Sequence, residues 1–130
     1  MSKLTRENAI LPIAAAVNLT GQEGSLVFWD GTDLVLTTDP AEDVFGVVIV
    51  GAPAGEPSSI AISAGGLAGT VKVKLSEAVT AVGTYLMAGA TAGTAIPATG
   101  SAPSKACAMA LETGVGDELV EAVIFKPIPL

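Results

Sequence analysis

The stretch VFGVVIVGAPAGEPSSIAI, Val44 to Ile62, decides how the chain is read, because the chain writes it twice. An apolar run, Val44 to Val50, leads into a Gly/Pro turn closed by Gly55-Glu56, and the short apolar segment Ile60 to Ile62 follows. A continuous β-branched run of this length between turn residues reads as a strand covered on both faces. The outline returns as Cys107 to Leu111, the turn Thr113-Gly114-Val115-Gly116-Asp117, and Ala122-Val123-Ile124. Val48 falls on Met109, Val50 on Leu111, Gly55 on Gly116 and Ala61 on Ala122, an offset of 61; Gly24 to Phe28 echoes Gly83 to Met87 at 59. Two offsets that differ by two residues are the trace of a duplicated unit with a small loop change. Physically, a strand, a tight turn and a strand are built twice and packed together.

Upstream, Ser25-Leu26-Val27-Phe28-Trp29 and Asp33-Leu34-Val35-Leu36-Thr37 flank Asp30-Gly31. Asp-Gly between apolar runs is a strong hairpin signal, because glycine accepts the positive φ that tight hairpin turns need. Thr38 to Asp43 is an acidic loop, with Asp39 as a cap and Pro40 opening a single helical turn. Ile10 to Leu19 is a first strand candidate, although its alanines could also form a helical turn, and a polar, flexible arm precedes it. Downstream, Ser58 to Ser63 alternates, with Ile60 and Ile62 on one face, and residues 64–69 form a glycine-rich link. Thr70 to Leu75 puts Val71, Val73 and Leu75 inward and Lys72 and Lys74 outward, where lysine discourages edge-to-edge pairing. Tyr85-Leu86-Met87 begins a second hairpin with its turn in residues 88–95, and Ala98 to Lys105 is a small-residue loop. Lys126-Pro127-Ile128-Pro129-Leu130 leaves as an extended tail, since proline cannot donate to a ladder. The reading is all-β: a small β-sandwich or barrel of about nine to eleven short strands with an internal duplication and an extended N-terminal arm. Residues 1–19 hold the arm and first strand, and residues 20–130 the β-rich body of a single domain.

Composition narrows the function. Hydrophobic residues are 50% of the 130 and glycine adds 15 more, roughly 60% apolar against about 45–50% in ordinary soluble domains. Aromatics are only 4%, so the apolar material is small, and the surplus points to surface spent on another subunit. A net charge of −7 without a basic stripe argues against nucleic acid and anionic membranes. No run reaches the ~18 apolar residues of a membrane helix. Ala9 to Val17, after Lys3 and Arg6, imitates a secretion signal, but Pro12 interrupts it and Glu7 sits in the basic region.

No constellation for catalysis is found. Histidine is absent, so a hydrolytic triad lacks its usual base. Cys107 lies in an apolar run and reads as a buried small side chain, and a single cysteine excludes an intrachain disulfide. Asp30 with Asp33, and Asp39 with Glu42 and Asp43, offer oxygen ligands for Ca²⁺, but turn chemistry and capping explain the same residues. The glycine-rich pieces lack the Lys-Ser/Thr of a phosphate loop. Phe28 and Trp29 point to opposite faces of their strand, one core and one interface. The expectation is a non-enzyme without metal or cofactor.

Phe45-Gly46-Val47-Val48 with Ala54-Gly55-Glu56, the strand Thr70-Val71-Lys72-Val73-Lys74, Gly83-Thr84-Tyr85-Leu86, and Ala108-Met109-Ala110-Leu111-Glu112 with Gly116-Asp117 together resemble the capsid decoration, or cement, proteins of tailed bacteriophages. The resemblance spans roughly residues 20–125; Cys107-Ala108-Met109 departs from the family's usual Ile-Gly-Val/Ile. It implies a non-catalytic virion protein made in the host cytoplasm. Such a protein sits on the outer face of the capsid as a homotrimer and bridges major capsid subunits. The arm would act as a clamp, which makes Lys3, Leu4, Arg6 and Ile10, with Trp29, the capsid-contact candidates. A head-fibre or tail-tube accessory would need a longer or repetitive shaft. A carbohydrate-binding or adhesin-like β-sandwich module is the alternative from another class. It wants an exposed aromatic platform, for which Trp29 and Tyr85 are available.

Overall fold

The computed structural model describes residues 10–63 and 69–130. Lys3, Leu4 and Arg6, with the rest of the arm before Ile10, lie outside the described residues, as does most of the 64–69 link. Ten strands form two five-stranded sheets in a sandwich. The first sheet holds β1 (Ile10–Ala14), β2 (Leu26–Trp29), β3 (Leu34–Leu36), β4 (Val44–Val50) and β5 (Pro57–Ile62). The second holds β6 (Thr70–Lys74), β7 (Tyr85–Ala88), β8 (Ala95–Pro97), β9 (Lys105–Ala110) and β10 (Leu119–Pro129). The spatial orders are β1-β5-β4-β2-β3 and β6-β10-β9-β7-β8, all antiparallel, so the second sheet repeats the first strand for strand.

The registers sharpen the duplication. At an offset of 61 the pair Ile10↔Ala61 maps onto Val71↔Ala122, which is observed. Leu26↔Val47 maps onto Leu86↔Ala108, also observed. The strands after Gly24 and Gly83 therefore correspond at 60 rather than 59, although both glycines keep positive φ (87° and 91°). The β4–β5 hairpin alone slips: Val47 faces Ala61, while Ala108 faces Ile124 and Ala122 faces Ala110. A two-residue slip returns every side chain to its own face, so the inner surface survives it. The turns differ as well: positive φ falls on Gly55 in the first copy and on Asp117, not Gly116, in the second.

The shared core lies between the sheets. Leu26, Val44, Val47 and Ala61 meet Val71, Val73, Leu86, Ala108, Ala110, Val120, Ala122 and Ile124. Ala108, Ala110 and Ala122 on β9 and β10 of the second sheet let the layers approach closely. β4 is covered on both faces: Val47 enters this core, and Val48 joins Val27, Leu34 and Ile60 in a second cluster beneath Ala15 and Leu19. Gly46 lets β5 lie close beside β4, since a Cβ there would collide with the Ala61 carbonyl oxygen. The sheets are also stitched by backbone: Leu26 N–H donates to Gly93 O (2.7 Å), Gly93 N–H to Thr37 O (2.7 Å) and Lys74 N–H to Gly24 O (2.9 Å).

The chain's end differs from the expected free tail. β10 runs through Pro129, with Ile128 opposite Ala106 and Pro129 opposite Lys105. Leu130 N–H donates to Ser104 O (3.0 Å), so alternation puts the nitrogen of Pro129 on the side facing away from β9, where no donor is needed.

Candidate ligand and contact site

Two strand irregularities build the site. In β4, Val27 pairs with Gly46 but Phe28 pairs with Val44, which leaves Phe45 as the extra residue of a bulge. In β10, Ile124 pairs with Ala108 but Ile128 pairs with Ala106, so Phe125, Lys126 and Pro127 span a stretch where β9 supplies a single residue. Bulges re-aim side chains, and proline suits one because its nitrogen has no ladder bond to lose. The two bulges meet at one end of the sandwich, where Trp29, Asp43, Val44, Phe45, Ser63, Lys126 and Pro127 line a cavity of about 430 Å³. That volume lies within the usual range for small-ligand pockets.

Trp29 ends β2 and is 46% exposed, with its ring edge-to-face against Phe45 at 5.9 Å and 71°. Phe28, its neighbour, is half-buried, which divides the pair as the alternation requires. Asp43 is held by the ammonium of Lys105 at 2.6 Å, and Lys105 N–H donates to Pro40 O. Lys126 is exposed and makes no ion pair among the described residues. Ser63 is 3% exposed, and its hydroxyl has no hydrogen-bond partner there. Thr37 Oγ1 is the other orphan, but it does not line the cavity.

Ile10 opens β1, half-buried against the shared core, three strands away from β2 and level through Ala61 and Val47 with Leu26, the opposite end of β2 from Trp29. Ile10 lines a separate groove with Gly24 and Leu119, so the structure does not bring it together with Trp29.

Of the acidic residues weighed as metal ligands, Asp30, Asp39 and Glu42 accept from backbone amides, and Asp43 pairs with Lys105. Asp30 Oδ1 accepts from the amides of Thr32 (2.9 Å) and Asp33 (2.8 Å), which hold its carboxyl below the usual range. Asp39 Oδ1 accepts from Ala41 N–H, and Glu42 Oε1 from the amides of Thr38 and Asp39, closing a turn rather than a helix. Cys107 is buried, and desolvation pushes its thiol up to about 12, far from a nucleophile at neutral pH. No single run could reveal the cavity, since its walls come from bulges some eighty residues apart; Pro127 beside Lys126 was the only local trace.

Outside the cavity, the outer face of the second sheet carries the row Tyr85, Met109 and Val123, with Phe125 edge-to-face on Tyr85 at 6.1 Å. Tyr85 is 55% exposed.

No protein-family model and no curated protein sequence matches the chain. Among solved structures, the chain is similar to the N base of the head fibre protein gp8.5 of bacteriophage phi29. The TM-score is 0.65 at 18% identity, over 93% of this chain and 98% of that one. At this identity the likeness establishes a shared fold.

Proposed function

We propose that the chain is a non-catalytic structural protein of a tailed-phage virion, seated on the outer face of the head. The observation that carries this is the shared fold with a phage head fibre base, end to end and with nearly equal lengths. The lack of a repetitive shaft is no objection, because the similar structure is itself the base of a fibre. In this reading the major capsid protein is the partner, and the segment before Ile10, with Lys3, Leu4 and Arg6, clamps onto it. Ile10 anchors the clamp to β1. A homotrimer suits the surplus of small apolar residues and the uncovered row Tyr85-Met109-Val123, and three weak contacts on one particle reinforce one another through effective concentration.

Co-sedimentation of the full chain with DNA-filled phage heads, compared with a variant lacking residues 1–8, tests the reading. The expected result is saturable binding by the full chain and weakened binding by the truncated one, with unchanged thermal melting. Failure of the full chain to bind any head surface would remove the reading; equal binding by both would remove the clamp alone.

A further inference from the structure

We propose that the cavity between the two bulges is a binding site for an acidic saccharide, a pyranose ring bearing a carboxylate. Three observations converge on it. Trp29 presents a large aromatic surface at the mouth, fixed in orientation by its edge-to-face contact with Phe45, and sugar rings pack their C–H faces on such a platform. Lys126 supplies a cation with no acidic partner among the described residues, in a protein with a charge of −7. Asp43, the acid in the wall, is paired with Lys105 at 2.6 Å and not with Lys126. Ser63 completes the set: a buried hydroxyl in the wall with no partner among the described residues, where folded proteins ordinarily satisfy such groups. A serine side chain moves among three staggered positions, and a ligand hydroxyl reaching it would satisfy both groups.

The size agrees. The cavity takes one or two sugar rings, whereas a protein–protein contact of useful strength needs a broad face of about 800 Å² per partner. The chain already offers such a face in the second sheet's outer row. Trp29 is thus moved from the capsid-contact candidates to a ligand pocket, while Ile10 remains with the clamp. The inference stands whether or not the protein rides on a phage head.

Trp29 is the only tryptophan, so its emission reports this site alone. Trigalacturonic acid, with neutral maltotriose as control, is titrated against the full chain while indole fluorescence is followed, and isothermal calorimetry repeats the titration for variants. The expected result is a saturable change with trigalacturonic acid and at least about tenfold weaker response to maltotriose. Lys126→Ala should erase that preference and Trp29→Ala should abolish binding, both with unchanged melting temperature; Ser63→Ala should weaken binding of either sugar. No saturation with trigalacturonic acid, or binding that Lys126→Ala leaves intact, overturns the proposal. So does a Trp29→Ala variant that keeps the saccharide and instead loses co-sedimentation with heads.

Discussion

The two sheets share one strand order and one inner surface, yet their outer faces have parted. On the first sheet the chain folds its own segment, Ala15 to Leu19, over Val27, Leu34, Val48 and Ile60 and makes a second core. On the second sheet the connection after β6 sends Leu75 and Val79 into the shared core, and the row Tyr85-Met109-Val123 stays uncovered. Duplication therefore conserved what both copies must bury together and released what each faces alone. A face sealed by its own chain serves stability. The face left open is where a domain of this composition has apolar surface to spend on neighbours.

The largest expected effect breaks the comparison at its core. Val48 and Met109 correspond in the two copies, but Val48 is 1% exposed and Met109 lies half-buried on the open face. Val48→Asp places an unpaired charge in a sealed cluster and should cost about 4 kcal/mol or more, enough to unfold the domain. Met109→Asp should cost about 1 kcal/mol in urea unfolding of the dilute chain, because its charge stays in contact with water. Equal losses would mean that the second sheet's outer face is sealed as well.

Gly46 and Cys107 form the next pair, again 61 apart. Gly46→Ala drives a methyl into the Ala61 carbonyl and toward Ile60 Cγ2 (2.9 Å), and should destabilise by about 2 kcal/mol. In the second copy the same place already holds a side chain, and Cys107→Ala should cost less. The raised thiol pKa adds a kinetic check: at pH 8 Cys107 should resist iodoacetamide and label only at the rate of unfolding.

The smallest effects concern one exposed carboxylate in each copy. Asp30 is held low by the Asp33 and Thr32 amides, and Glu112 by the Glu121 amide (2.7 Å) and the Lys72 ammonium (3.1 Å). A depressed folded pKa gives stability that is complete above the unfolded carboxylate range and fades as pH falls through the lower, folded value. Lys72 runs the other way: Glu112 raises its pKa, and its share fades only as pH climbs through that raised value. Asp30→Asn and Glu112→Gln should each flatten the acid limb of a melting-temperature profile slightly, and the double variant should do so additively, since the sites lie in different sheets. A profile unchanged by either variant would show both carboxylates idle in stability.

Much of this was legible in single segments. β4 could be read as doubly covered because no polar residue interrupts Val44 to Val50, and that is where both clusters meet. The alternation of Thr70 to Leu75 gave β6 and its outward lysines, and Asp30-Gly31 gave the first hairpin, whose Asp30 closes the loop through its side chain. The second hairpin was legible from Tyr85-Leu86-Met87 and the turn after it, but the bounds of its return strand, Ala95–Pro97, come from pairing with β7 rather than from propensity. The prolines of the last segment suggested a tail, because sequence shows a missing donor but not which way the nitrogen faces. Of the contact candidates, Ile10 and Trp29 share no site, because the register of β1, β5, β4 and β2 sets Ile10 level with Leu26. The cavity could not be foreseen, since Ser63, Phe45 and Lys126 converge through bulges that are properties of pairing.

Electron microscopy of phage heads incubated with the purified full chain, against heads alone, tests the central claim most directly. Added β-sandwich density at regular positions on the outer surface, with the second sheet's Tyr85-Met109-Val123 row against a neighbouring copy or the shell, is the predicted result. Bare heads at saturating protein, with the chain a monomer in solution, would contradict it.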